Sequence, residues 1–598
     1  MSPVAIDFET KAIVGNPIVN PPEPVGVAIW DLTTNMGKKD PEYLPINDDT
    51  RIRLWHYWKN CDLVFHNAQF DLAVAKKWLD LDPPAWDKIH DTLFLVYLKN
   101  PHANNLGLKH SADTYLELPP EEQDELREWV LANVPKSRPS NWGGYISYAP
   151  FELVSKYAKG DVYRTLLLYE ALIDEVPTVP YNRERQLAPI LATATCRGVP
   201  VHRQALEKAR DATQQALAQG EQVVRQLLNA PTLNPHSNVE LAKALEDADA
   251  VSGWDYTDKG NKRVAKASLL KHIKDPKLLA HLNYVSTLST VIGTFIEPWI
   301  LYSEDDGRIH PNWNQVRQPN ERKGGSKGTR TGRLSSDDPN FQNVIDGSRY
   351  QSDLVNLEPI PFMRRFVIPE DGHVWLKRDF SGQEMRILAH YECGKLAKAY
   401  RSNPDLDPHQ MVKELIKDQV GKDFPRKSIK ETGFGMIYGM GASALSGRIG
   451  CTMSEARELQ DAYKQAIPGV ESMQSLTKKR GKENKPIRTW GGRNYYAEEP
   501  KIVGGSYRSF EYKLLNYLIQ GSGADQTKQC IIDWNKNKED AVFMATVHDE
   551  INISAPKDRA VECMEWLRHC MEQEFFKVPM KSDSFIGKNW ADLEEFNY

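Results

Sequence analysis

The chain has 598 residues, 40% of them hydrophobic and 26% charged, with a formal net charge of −5. That length exceeds what one core serves and sets a prior of roughly three to five domains. The composition excludes a membrane span, since no run of about 18 apolar residues occurs, and it lacks bulk cationic charge, so any nucleic-acid face must be local. The seven cysteines are scattered without a C-x-x-C pair, which favours free thiols in a reducing compartment over a disulfide framework or zinc site. Met1-Ser-Pro-Val-Ala-Ile-Asp7 has neither a basic segment nor a long apolar core and does not read as a signal peptide.

Val4 to Thr10 has a short strand pattern with Asp7 and Glu9 at i and i+2, on one face. Side-by-side carboxylates raise each other's pKa unless a cation lies between them. Alone, such a D-x-E reads as an exposed edge strand. Asp62 to Leu72 reads as a strand running into a helix, with Asn67 and Asp71 near the join. Leu153 to Leu167 reads as a helix with Tyr157 and Asp161 on one face at i, i+4. In this order the pieces resemble the D-x-E, N-x-x-x-D and Y-x-x-x-D motifs of DnaQ-like 3′–5′ exonucleases, with Asp91 in His-Asp-Thr as an accessory match. The resemblance implies an RNase H-like domain over residues 1–176. In it Asp7, Glu9, Asp71 and Asp161 would hold two divalent ions while Tyr157 orients the attacking water. No motif acid is missing, so an active proofreading site is expected.

Glu175 to Pro180 breaks the preceding helix and reads as a linker, which places a boundary over residues 177–200. Arg183 to Arg197 reads as helical and ends at Gly198-Val-Pro200. A long polar pattern over His202 to Leu228 reads as a surface or projecting helix, and a second helical pattern runs from about Leu278 to Leu301. With the turn Asn234-Pro-His-Ser237, this order resembles the thumb of DNA polymerase I relatives, over residues 201–302. Without the flanking motifs it would be an unremarkable helical hairpin.

Arg317 to Arg333 is glycine-rich and cationic, which by itself suits a solvated linker. Thr331-Gly-Arg-Leu-Ser-Ser336 and Asp338-Pro-Asn-Phe-Gln-Asn343 follow, and they resemble the TGRLSS and DPNLQN blocks of the same relatives. Cations on a glycine backbone approach phosphates closely and bind them without sequence preference. The resemblance implies that Arg333 reaches the primer terminus, that Lys327, Arg330 and Asn343 contact DNA, and that the arm from Arg322 to Arg330 grips duplex backbone.

Val374, Trp375 and Leu376 read as a buried strand leading to Asp379, followed by a helix from Glu384. Asp379 thus stands at a strand end, where loops carry chemistry. Asp549 lies in a hairpin tip, His548-Asp549, between two β-prone runs, with Glu550 beside it. Carboxylates from separate elements of a rigid sheet suit a two-metal phosphoryl-transfer site with ions about 3.5–4 Å apart. Arg426, Lys430, Phe434 and Tyr438 recur every four residues and wind slowly over three turns of a helix. A stripe graded from cationic to aromatic fits a nucleoside triphosphate laid along it. It is identified as the R-x-x-x-K-x-x-x-F-x-x-x-Y-G fingers signature of family A DNA polymerases, and DFSGQEMR and VHDE resemble two further motifs of that family.

The resemblance implies an α/β multidomain chain, in which a right-hand polymerase follows the exonuclease. Its palm would span 303–400 and 489–598, and its fingers 401–488. Asp379 and Asp549 would bind metal, with Glu550 and Lys430 joining in catalysis. Arg426, Lys430, Phe434, Tyr438 and Gln383 would hold the deoxynucleotide. Glu384 would be the steric gate against a ribose 2′-OH, and Phe434 in place of Tyr implies discrimination against dideoxynucleotides. Asn516, Gln520 and His548 would face DNA, although His548 and His409 read by themselves as hydrogen-bonded structural residues. Gly382-Gln383 replaces the usual Gln-Ile, and Tyr512 stands where Arg is common.

The expected cofactor is Mg2+, two per site, with Mn2+ able to substitute. Expected partners are primer–template DNA and dNTPs, for a monomer without membrane attachment whose accessory proteins are unknown. With no room before Asp7 for a 5′-nuclease domain, the layout resembles phage enzymes and implies the cytoplasm of an infected bacterium. A stand-alone exonuclease is opposed by Asp379, Asp549, Arg426 and Lys430, and a single-subunit RNA polymerase by Glu384 and the proofreading motifs. A preference for 2-aminoadenine, as in some phages with modified genomes, rests on no residue of this chain.

Overall fold

Two five-stranded sheets carry Asp7, Glu9 and Asp379. The structure, a computed structural model, describes residues 3–31, 40–119, 121–257, 259–319, 326–345, 352–503 and 505–597. In the first sheet β1 (Pro3–Thr10) is flanked by β2 (Pro24–Asp31) and β3 (Glu42–Pro45) on one side. β4 (Asp62–Phe65) and β5 (Ile89–Asp91) lie on the other, giving the order β3-β2-β1-β4-β5. β1 is therefore central, and the edge-strand expectation for Asp7 and Glu9 fails. Its helices include α1 (Ala68–Leu79), α2 (Thr92–Lys99), α3 (Leu108–Leu116) and α4 (Phe151–Leu172). Val4, Ile6 and Phe8 pack with Val74 and Leu79 of α1, whereas Ala5 packs with Ala158 and Val162 of α4. Strand alternation then turns Asp7 and Glu9 toward α4.

The helix expected over Arg183 to Arg197 is present and begins earlier, inside the expected linker. α5 (Thr178–Arg197) starts directly after the break, and Pro180 sits in its first turn, where a missing N–H costs nothing. Arg183, Glu184 and Arg185 are buried. α6 (Arg203–Leu227) and α7 (Pro276–Thr290) pack side by side. Val224, Leu245, Leu269 and Leu282 form a small separate core at one end of this pair.

β6 (His373–Phe380) opens the second sheet and turns through Gly382, at φ +69°, into α8 (Gln383–Glu392). A helical lobe follows: α9 (Pro408–Val420), α10 (Arg426–Ile437), α11 (Met453–Ala466) and α12 (Pro468–Lys482). Asp407 caps α9 through the His409 and Gln410 amides, with Pro408 at the first helical position. Thr452 and Glu455 form a reciprocal capping box on α11. A small hairpin, β7 (Lys501–Val503) and β8 (Ser506–Arg508), precedes α13 (Leu514–Lys536). β9 (Val542–Val547), β10 (Glu550–Pro556), β11 (Ser582–Gly587) and β12 (Leu593–Glu595) complete the sheet, in the order β9-β10-β6-β11-β12. One apolar core runs from Leu187 of α5 through both parts of this sheet to Trp590. α5 lies between α2 and α13 and so joins the two halves of the chain. No helix among the described residues is long and apolar enough to cross a membrane.

Candidate active sites

In the N-terminal domain, Asp7, Glu9 and Asp161 each bring a carboxylate oxygen within 4.8 Å of the others. Asp71 is near enough to Asp7 to feel its charge, and its Oδ1 accepts the Phe8 N–H at 3.0 Å. Burial, followed by mutual repulsion, pushes Asp7 up to about 7 and Glu9 well above the ordinary carboxylate range. Asp71 is pushed up in the same way. Lys109, at the start of α3, is the counter-charge. Its Nζ lies 2.7 Å from Asp161 Oδ2 and 4.0 Å from the centre of the Tyr157 ring. Glu9 Oε1 and Asp161 Oδ1 are buried without hydrogen-bond partners. Orphaned carboxylate oxygens are costly, and they are the donor type that hard divalent cations take.

Asn67 and Asp91 have a different task. Asn67 adopts φ 73°, and Asp91 accepts the Asn67, Ala68 and Leu93 N–H groups. Asp91 thereby ties together the starts of α1 and α2.

The raised acids make stability depend on pH. Asp7 moves from 3.8 to about 7 on folding, so the stability its retained proton contributes below pH 3.8 is lost as pH rises through about 7. Melting temperatures in chelator should fall between about pH 4 and 7. Excess divalent ion should flatten that fall, because it takes up the ionised acids. Parallel melting curves with and without the ion would count against a cation site.

In the second sheet, Asp379 stands directly opposite Glu550. The two-residue turn His548–Asp549 returns the chain so that the Phe380 N–H donates to the Asp549 carbonyl at 3.3 Å. Burial, then Asp549, raises Asp379 to about 7. Burial also raises Asp549, against the pull of Arg333. The two acids therefore share one site. Glu550 is buried, and Lys377 at 3.1 Å, Arg364 at 3.4 Å, Asn552 and Trp590 hold its carboxylate. Lys377 also lies 3.5 Å from Asp379. The motifs missed Lys109, Lys377 and Arg364. Only Lys377 carried a sequence signal, since it precedes Asp379 by two and strand alternation puts both on one face.

α10 buries Ile429, Thr432, Gly433, Met436 and Ile437 and leaves Arg426, Lys430, Phe434 and Tyr438 on the opposite, open side. The Phe434 and Tyr438 rings stack at 6.2 Å. Arg426 pairs with Asp407 at 2.6 Å, whereas Lys430 is exposed. The Tyr438 hydroxyl donates to Glu384 Oε2 at 2.9 Å, and Arg333 pairs with Glu384 Oε1 at 2.6 Å. Glu384 is thus clamped between the helical lobe and the loop carrying Arg333. Gln520 bonds Tyr438 as well. Asn516, one turn before Gln520, has a buried Oδ1 without a partner.

Some expected residues lie elsewhere. Gln383 does not share the side of Glu384. It is buried, and its amide donates to Gly523, Gln526 and Thr527 of α13. One residue turns a helix by about 100°, so Glu384 can face the cleft only if its neighbour faces away. Lys327 and Arg330 are held in ion pairs with Asp337 and Glu498, each at 2.6 Å. Arg322 to Gly325 of the expected arm lie outside the described residues. Asn343 and His548 are exposed, and among the described residues the His548 ring makes no hydrogen bond, against its reading as a hydrogen-bonded structural residue. His409 packs on Phe434 at 5.8 Å with its buried Nδ1 unpartnered, which corrects its hydrogen-bonded reading.

Comparison with known proteins places this geometry. A family model described as DNA polymerase family A matches residues 203–592. The DNA polymerase DpoZ of Salmonella phage PMBT28 is 26% identical, with the match covering 100% of this chain and 98% of that protein. A DNA-directed DNA polymerase of Pseudomonas phage M6 is 28% identical, over 74% of this chain and 71% of its own. The solved POL domain of Pol1 from M. smegmatis, in complex with DNA primer-template and dNTP, has a TM-score of 0.75 at 20% identity. That match covers 98% of this chain and 95% of the other, a likeness of fold.

Proposed function

Since the chain belongs to DNA polymerase family A, we propose that it extends a primer on a DNA template and excises misplaced nucleotides with its N-terminal domain. The observation that carries this reading is Asp379 and Asp549 sharing one site, with Glu384 joining them to the open stripe of α10. On this reading the second sheet is the palm, α9 to α12 the fingers and α6 with α7 the thumb. The two phage relatives favour a role in phage genome replication within an infected cell.

Asp379 and Asp549 would hold two Mg2+ ions, as would Asp7, Glu9, Asp71 and Asp161, and bound metal lowers the pKa of the attacking hydroxyl or water and neutralises the leaving group. Lys430 and Arg426 bind the triphosphate through charge-assisted hydrogen bonds, Arg426 on leaving Asp407. Phe434 and Tyr438 supply flat apolar surface to sugar and base. Glu384, fixed from two sides, occupies the space a ribose 2′-OH would need. In the N-terminal domain Tyr157, beside Asp161, orients the attacking water.

Extension of a primed template with each dNTP, and excision of a mismatched primer end, test both halves. Glu384→Ala should raise ribonucleotide use relative to deoxynucleotide use by roughly 10–200-fold. Unchanged discrimination would remove Glu384 from the gate. Supplying the 2-aminoadenine deoxynucleotide beside dATP tests for a modified-purine preference, which equal use and equal excision of the two would reject.

A further inference from the structure

The hairpin β7–β8 is unlike the rest of the surface. Its register pairs Ile502 with Tyr507 and Lys501 with Arg508. Neighbouring residues alternate faces, so one face of the ribbon is apolar and the other cationic. Neither is covered: Ile502 is 77% and Tyr507 75% exposed, and both cations are exposed as well. Neither cation has an ion pair among the described residues. A lone two-stranded ribbon is marginal in water, and like charges directly opposite each other weaken it further. The fold does not offset that cost. A partner that is anionic and offers flat apolar faces would.

The root of the hairpin shows where such a partner runs. Glu498, just before β7, accepts from Arg330, Lys513 and Tyr517. Tyr512, just after β8, lies against Gly439 at the end of the α10 stripe, where a Cβ would come within 2.6 Å of the Tyr512 ring. Asn516 and Gln520 begin on the next turns. The hairpin therefore projects beside the end of the α10 stripe and the start of α13, at the proposed polymerase site. Unpaired nucleic acid is held by aromatic stacking and by cations along its backbone. A ribbon about 4.8 Å wide is narrow enough for long Lys and Arg side chains to reach round its edges.

We infer that β7–β8 binds the unpaired template strand ahead of the primer terminus, with Tyr507 and Ile502 stacking on a base and Lys501 and Arg508 meeting its phosphates. The inference rests on the polymerase reading above. Tyr507→Ala with Ile502→Ala, and separately Lys501→Ala with Arg508→Ala, change only exposed side chains. Fluorescence anisotropy would compare a primer–template bearing a template overhang of about ten nucleotides with the same duplex made blunt. The apolar double variant should weaken overhang binding roughly tenfold while blunt-duplex binding stays the same. The cationic one should lower the salt dependence of overhang binding by about 1.4 in log–log slope, or about 0.7 for each phosphate contact. Equal weakening of both substrates overturns the inference. So does unchanged binding of both, which would leave the hairpin to a protein partner. Primer extension by the unaltered protein is read separately, and its absence would sink the polymerase reading.

Discussion

Asp549→Ala should lower primer extension by roughly three orders of magnitude or more, while excision of a mismatched primer end continues at its original rate. Losing a metal ligand removes several kcal/mol of transition-state stabilisation, and each 1.36 kcal/mol is a factor of ten in rate. The effect should fall on the turnover number, since Arg426, Lys430 and the aromatic pair proposed to bind the nucleotide are untouched. Folding should not confound the result. Burial and neighbouring acids raise the Asp549 pKa, so its charge costs stability when no cation is present. In chelator the variant should melt no lower than the parent chain, as expected where function and stability oppose each other. Asp7→Ala should give the mirror image, with excision lost and extension kept. Extension within tenfold of the parent in Asp549→Ala would remove Asp549 from the catalytic site. Loss of both activities together would instead point to a structural role.

Asp525→Ala should destabilise the chain by about 3–5 kcal/mol, the range for removing one partner of a buried charge pair. Arg183 and Glu184 of α5, Arg493, and Asp525 and Lys528 of α13 form a buried cluster of three cations and two acids. Arg493 bonds both Asp525 and Glu184. Lys528 reaches Glu184 at 2.8 Å, and Arg183 lies 3.4 Å from Asp525. Burial already lowers Lys528 to about 8. Without Asp525, three cations would share Glu184 alone. Denaturant unfolding should show the loss, and amide exchange should place it in α5 and α13. DNA affinity should fall as well, because Arg493 packs against Gly332, whose Cβ would come within 2.9 Å of its guanidinium, next to Arg333. Asp525→Asn, which keeps the shape and the acceptor, should recover part of the stability. A loss below about 1 kcal/mol would mean that water or side-chain rearrangement relieves the cluster.

The chemistry-bearing spacings were legible because helices and strands convert sequence spacing into direction. The four-residue recurrence from Arg426 to Tyr438 could only make a stripe on α10, and Asp7 and Glu9 could only share a face of β1. Local period also foretold α4, α6 and α7. Direction alone does not say what lies opposite. That β1 is central, that the helix expected over Arg183 to Arg197 buries Arg183, Glu184 and Arg185, and that Gln383 turns into α13 all depend on which elements pack together. Lys109 carried no signal, since its charge matters only because α3 folds beside α4.

By itself the sequence determined the kinds of group at each site and the face each would take, since backbone periodicity is a local property. Only the tertiary structure decided that Asp379 and Asp549 meet, through the β6–β10 register, and that the charges of α5 and α13 pair with Arg493 in a buried interior. Strand pairing and burial are set by the whole chain at once, and no spacing along it encodes them.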